Sequence, residues 1–204
     1  ALERKGYIVS AERERTVERG GSAFRLPELT PAQLAALESL RGQFARKPAA
    51  LLHGITGSGK TEVYIHLIAE VLARGGDVLL LVPEIALTVQ IMERLHKVFG
   101  DRLGIYHSKY SDAERVEIWQ KQLSGHPYDV ILGARSAVFL PFQKLGLVII
   151  DEEHETSFKQ QDPAPRYHAR SAAIVLANMY PEAKVLLGTA TPSMESYYNA
   201  QQGK

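Results

Sequence analysis

Short apolar runs alternate with longer amphipathic stretches along most of the chain. The runs fall at 49–52, 78–82, 103–106, 130–132, 147–150 and 185–187, and Val, Leu and Ile dominate them. Between and before them, 31–44, 60–73, 85–99, 112–123 and 169–178 read as helices. Strands alternating with helices predict an α/β fold, a mostly parallel sheet with helices on both faces. In such sheets ligands bind beyond the carboxyl ends of the strands. The loops that leave the apolar runs are therefore where chemistry is sought.

The opening segment, 1–28, departs from this pattern. Its charges alternate with few core residues, and Gly20, Gly21 and Pro27 mark a loosened connection. It reads either as a solvated hairpin with a linker or as the end of an upstream DNA-binding module. The chain opens on Ala1 inside what looks like a helix end and lacks a starting Met, so it reads as an excised part of something longer.

Composition narrows the classes. A chain of 204 residues, 45% hydrophobic and 23% charged, suits one large soluble domain with an appendage. A formal net charge of +1 means that any nucleic-acid surface must be local. The absence of cysteine excludes disulfides and thiolate metal sites within these residues and fits a reducing compartment. No apolar run approaches the roughly 20 residues of a membrane span, and no signal-peptide pattern opens the chain.

The run at 49–52 feeds Gly54-Ile55-Thr56-Gly57-Ser58-Gly59-Lys60-Thr61, a match to the phosphate-loop pattern G-x-x-x-x-G-K-S/T, and a helical stretch leaves it. Glycines let successive backbone N–H groups turn toward one anion, and the helix N-terminus adds partial positive charge. Gly54, Thr56, Gly57, Ser58 and Gly59 are expected to cradle the phosphates of ATP. Lys60 is expected to reach the β- and γ-phosphates, and Thr61 to ligate Mg²⁺. The partner of such a loop is a buried strand that delivers carboxylates. The apolar 145–150 does so, ending in Asp151-Glu152-Glu153-His154. Asp151 is expected to hold Mg²⁺, and Glu152 to orient and deprotonate the attacking water. Lys60, Asp151 and Glu152 are thus the candidate catalytic residues. His154 either couples nucleotide state to neighbouring loops or hydrogen-bonds its own strand end.

Absent motifs narrow the phosphate-loop classes. No guanine-reading NKxD motif is present, which argues against a GTPase, and His126-Pro127 breaks the transporter-like start Leu123-Ser124-Gly125. A small-molecule nucleotide kinase has no need of the acidic tetrad.

Two further segments, Leu29-Thr30-Pro31-Ala32-Gln33 and Gly188-Thr189-Ala190-Thr191-Pro192-Ser193, complete a set that resembles the superfamily 2 helicases. The resemblance implies a RecA-like lobe in which Gln33 reads adenine and Thr189 and Thr191 belong to the S/T-A-T coupling motif. A helix cap at Thr30 with Pro31 in the first turn accounts for the first segment equally well.

Pro83-Glu84-Ile85-Ala86-Leu87-Thr88, Gly133-Ala134-Arg135-Ser136-Ala137, the DEEH box and the stretch from Ser157-Phe158-Lys159-Gln160-Gln161 to Arg166-Tyr167-His168-Ala169-Arg170 resemble the primosomal protein N-prime (PriA) family of replication-restart helicases. The departures are mild: Val89 stands where the family often has proline, Ala134 where it has threonine, and Thr189 where serine is usual. The resemblance implies that 1–28 is the tail of a winged-helix DNA-binding domain plus linker and 29–204 the first helicase lobe. It also implies 3′-to-5′ unwinding of single-stranded and forked DNA in the cytoplasm. Single-strand-binding protein and other primosome proteins would be partners, and zinc would belong only to the full-length protein. Without the second lobe, hydrolysis by this part is expected to be slow.

In related helicases the loops at 83–88 and 133–137 lie on the face that tracks DNA. Thr88, Arg135 and Ser136 suit phosphates without reading sequence, with a structural ion pair as the alternative for Arg135. The mix of Phe158, Lys159, Arg166, Tyr167, His168 and Arg170 suits stacked bases beside cations. By resemblance it is an aromatic-rich loop that senses DNA, though an ordinary loop anchored by its aromatics fits too. Asp162-Pro163-Ala164-Pro165 within it predicts an extended stretch. The rival readings are another superfamily 2 translocase, in repair or restriction, and a non-catalytic DNA-binding scaffold that keeps a phosphate loop.

Overall fold

The computed structural model describes residues 24–107 and 109–203. The expected winged-helix tail therefore lies, up to residue 23, outside the described residues. Within them, β1 (Ala49–His53), β2 (Asp77–Leu81), β3 (Leu103–Tyr106), β4 (Val130–Gly133), β5 (Leu145–Asp151) and β6 (Lys184–Thr189) form one sheet. Its order is β1-β6-β5-β2-β4-β3, and every pairing is parallel.

Each apolar run became a strand, and the helices are α1 (Pro31–Phe44), α2 (Lys60–Ala73), α3 (Val89–Phe99), α4 (Asp112–Leu123), α5 (Ala169–Asn178) and α6 (Met194–Gln201). Local chemistry sets their starts. Thr30 and Gln33 form a reciprocal capping box at α1 with Pro31 behind the cap, and Ser111 with Glu114 does the same at α4. Two departures from the sequence reading stand out. The helix expected from residue 85 starts at Val89, because Leu87 turns into the core with its backbone at φ −76°, ψ 66° and Thr88 caps in extended conformation. Glu84–Ala86 is left as a short 3-10 turn with Ile85 81% exposed. The unexpected α6 is too polar to announce itself; the Ser193 side chain caps it by accepting from the Ser196 amide.

Alternation along the central strands divides the core. Val78, Leu80 and Val82 pack with Leu67 and Ile68 of α2 and Leu95 of α3 on one face. Leu79, Leu81, Ile131 and Val148 pack with Ala137, Phe158 and Ala173 of α5 on the other. A sheet covered on both faces leaves its carboxyl edge for function. Across that edge the loops after β1, β6, β5, β2 and β4 follow in spatial order: phosphate loop, Thr-Ala-Thr segment, acidic turn, then the loops of Thr88 and Arg135.

At this edge the Tyr64 side chain of α2 reaches across to β6. A Cβ built on Gly188 would sit 1.8 Å from the Tyr64 hydroxyl and 3.3 Å from Asp151 Oδ1. Gly188→Ala is expected to destabilise the lobe by roughly 1–3 kcal/mol, read as a lower urea midpoint. Combining it with Tyr64→Phe should recover part of the loss, because removing the hydroxyl clears the nearest obstruction.

Candidate active site

The phosphate loop turns between β1 and α2 on two left-handed glycines, Gly57 at φ 78° and Gly59 at φ 80°. Side chains are excluded at Gly59, whose Cβ would lie 1.9 Å from Gln33 Nε2. Gln33 is drawn over the loop: Nε2 donates to the Ser58 and Gly59 carbonyls, both at 3.3 Å, and Oε1 accepts from the Thr30 amide at 2.8 Å. Its amide thus serves helix cap and phosphate loop together. Lys60 Nζ donates to the Gly54 carbonyl at 2.9 Å. Gln33, Thr56, Gly57, Ser58, Gly59, Lys60 and Thr61 face Asp151 and Glu152 across a cleft of about 520 Å³. Arg94 of α3 also lines it, paired with Glu62 at 3.0 Å. Sequence reasoning missed Arg94, since no motif spacing marks a lone cation on a helix thirty residues on. Loop amides, a helix N-terminus, a lysine and an opposing carboxylate pair fit a polyphosphate with Mg²⁺, which Thr61 and Asp151 would hold.

The acidic box is fixed at four points. Asp151 ends β5 and accepts from the Tyr64 hydroxyl at 2.8 Å. Burial raises the Asp151 carboxyl above its ordinary range against the opposing pull of that hydrogen bond and of Lys60. Burial, with Asp151 beside it, raises Tyr64 as well. Glu152 is the one non-glycine residue among those described with a left-handed backbone, at φ 47°, a conformation costing an L-residue roughly 1–2 kcal/mol. That turn leaves its carboxylate 3.8 Å from Lys60 Nζ. Glu153 turns the other way and is 1% exposed. It accepts from the Ser193 amide at 2.7 Å, the Ser196 hydroxyl at 3.0 Å and Arg170 Nη1 at 2.6 Å. His154 sits between both threonines of the coupling segment, Nδ1 at 2.7 Å from Thr189 Oγ1 and Nε2 at 3.2 Å from Thr191 Oγ1. These bonds join His154 to the end of β6 and to the segment that follows it.

The residues assigned to DNA divide into two groups. Thr88 and the turn of Arg135 and Ser136 follow neighbouring strands, which the bond from the Val82 amide to the Gly133 carbonyl holds together at 3.0 Å. Arg135 Nη1 donates to the Ser157 carbonyl at 3.2 Å, so its partner is backbone. The loop before α5 folds back on itself: Lys159 bridges His168, and the Gln160 amide donates to the Tyr167 carbonyl at 2.9 Å. Lys159 Nζ donates to the Arg166 carbonyl, Arg166 is exposed, and Tyr167 meets the half-exposed Phe139 edge-on at 4.7 Å. The stretch expected to run extended bends at 162–165 instead, because Gln160 Nε2 donates to the Pro163 and Pro165 carbonyls. Two assignments need correction. Phe158 is 1% exposed in the core, so its ring offers no face to a base. Arg170 points inward and spends its guanidinium on Glu153, Ser193 and Glu195.

A parallel sheet with a phosphate loop after its edge strand β1 and a carboxylate turn after β5 defines a RecA-like nucleotide-binding lobe. The chain belongs to the DEAD/DEAH box helicase family, whose model matches residues 30–200. It is 42% identical to the replication restart protein PriA of Synechocystis over 99% of this chain. It is 46% identical to that of Bacillus subtilis over 86% of this chain and 49% identical to that of Haemophilus influenzae over 76%. The chain spans 24%, 22% and 21% of those proteins, about a quarter of their length or less. Among solved structures, RecG bound to a three-way DNA junction shares the fold with a TM-score of 0.61 at 24% identity, over 91% of this chain and 26% of RecG. The Sulfolobus solfataricus SWI2/SNF2 ATPase core does so with a TM-score of 0.59 at 17% identity, over 90% of this chain and 36% of that one. No helix among the described residues is long and apolar enough to cross a membrane.

The buried Glu153 carries a pH signature. Burial alone would raise its carboxyl, but the Ser193 amide, Arg170 and Ser196 together hold it below the ordinary glutamate value of 4.5. Its contribution to stability is therefore complete above that value and is lost as pH falls through the depressed one. Glu153→Gln is expected to cost on the order of 2 kcal/mol at neutral pH and to flatten the stability–pH curve below about pH 5. Urea unfolding of both proteins across that range is the check.

Proposed function

We propose that residues 29–204 are the first, ATP-binding lobe of an ATP-dependent DNA helicase of the replication-restart type. The observation that carries this reading is the convergence of Lys60, Asp151 and Glu152 on one cleft, with His154 tying their turn to Thr189 and Thr191. The phosphate loop would take the phosphates of ATP, Lys60 would steady the β- and γ-groups, and Thr61 with Asp151 would hold Mg²⁺. The metal would supply neutralisation of charge on the phosphates. Glu152 orients the attacking water and accepts its proton. Thr88, Arg135 and Ser136, beyond β2 and β4, and Lys159, Arg166, Tyr167 and His168, in the loop before α5, form the DNA side.

The replication-restart role is supported by the names of the curated relatives. Cytoplasmic action, 3′-to-5′ unwinding, and single-strand-binding protein and primosome proteins as partners belong to the same reading.

Binding of an ATP analogue with Mg²⁺, with and without single-stranded DNA, is the direct test. Lys60→Ala is expected to lose binding by about tenfold or more. Glu152→Gln should keep binding and lower hydrolysis by about a hundredfold in the full-length protein. Wild-type affinity in Lys60→Ala would sink the reading. The lobe alone should bind nucleotide yet turn over slowly, because an arginine from a second lobe is worth about a thousandfold in such motors. Rapid DNA-stimulated turnover by the lobe alone would contradict that.

A further inference from the structure

Arg170 belongs to the stretch that sequence places on DNA, yet its side chain is built into the acidic turn. Nη1 donates to Glu153 Oε2 at 2.6 Å and to the Ser193 hydroxyl at 3.0 Å, and Nη2 donates to Glu195 Oε2 at 2.7 Å. The Glu153 side chain is fully buried and that of Arg170 is 14% exposed. A guanidinium that spans two carboxylates, the buried Glu153 from Nη1 and the exposed Glu195 from Nη2, is a directional clamp, which a point charge reproduces only in part.

The clamp lies two residues from one functional segment and directly beside another. Arg170 is the second residue of α5, whose N-cap, His168, bridges Lys159 in the folded-back loop. Glu153 lies between Glu152, the carboxylate at the cleft, and His154, the link to Thr189 and Thr191. Glu152 sits in a left-handed turn that is unfavourable by itself. Its orientation therefore depends on anchors to either side, Asp151 in the sheet and Glu153 in the clamp.

We propose that Arg170 is a positioning residue for ATP hydrolysis, holding the Glu152 carboxylate through Glu153 and tying it to the 159–168 loop. Arg170 thereby sets turnover, while nucleotide and DNA are bound by other side chains. This rests on the reading that Glu152 activates water.

The test is steady-state hydrolysis by the full-length protein at saturating single-stranded DNA, comparing wild type, Arg170→Ala and Arg170→Lys. Arg170→Ala is expected to lower kcat about tenfold or more, with KM for ATP and DNA affinity changed less than about threefold. Arg170→Lys, which restores a charge for Glu153 but not the two-pronged geometry, should fall between, about threefold below wild type. Weakened DNA binding with wild-type kcat at saturating DNA would make Arg170 a DNA contact and overturn the proposal, as would wild-type kinetics in Arg170→Ala. Should Arg170→Ala fail to bind ADP or to fold, Arg170→Lys decides alone: lowered kcat with intact DNA affinity supports positioning, and unchanged kcat overturns it. A wild-type protein with no DNA-stimulated hydrolysis would instead refute the functional reading itself.

Discussion

Parallel pairing sets β5 between β6 and β2, with Asp151 opposite Gly188 and Ile150 opposite both Leu187 and Leu81. Everything functional follows from that register. A slip of one residue would reverse which side chains enter each half of the core, and the carboxylates would no longer emerge where α2 presents Lys60 and Tyr64. Gly188 is the enabling detail, since the Tyr64 hydroxyl occupies the space a side chain would need and from there reaches Asp151.

One edge of the sheet thereby carries two neighbouring functions. The loops after β1 and β5 build the cleft, the segment after β6 joins it through His154, and the loops after β2 and β4, with the folded-back loop before α5, build the surface proposed for DNA. The acidic turn lies at the boundary. Each of its residues faces a different neighbour: Asp151 meets α2, Glu152 meets Lys60, Glu153 meets α5 and α6, and His154 meets the segment after β6. Four consecutive side chains diverge in this way because the chain leaves a strand and turns at once through a left-handed residue.

The turn also concentrates charge where solvent is scarce. A buried carboxylate is tolerable only when its lone pairs are satisfied and a counter-charge is near, and Glu153 meets both conditions through Ser193, Ser196 and Arg170. Asp151 has less compensation, a tyrosine hydroxyl and the more distant charge of Lys60, and burial accordingly raises it. Two carboxylates two residues apart thus move in opposite directions, because burial prevails at Asp151 and the donors prevail at Glu153.

The strands, every helix but α6, the parallel α/β class, the phosphate loop and the acidic box were legible in the chain. Each depends on local composition and spacing: apolar runs bounded by turns, caps such as Thr30 and Ser111, glycines where φ is positive. The start of α3 was misplaced because tertiary burial of Leu87 overrides the local tendency to helix. Arg94, Phe158 and Arg170 were beyond local reading for a related reason. A cation or a ring in a mixed polar segment suits an exposed surface as well as a buried network, and its direction is decided by what packs against it. Sequence by itself determined which chemistry the chain carries and the strand ends that carry it. Only the tertiary structure decided that Phe158 fills the core and Arg170 clamps Glu153, because those partners lie far along the chain or in a polar helix that periodicity does not reveal.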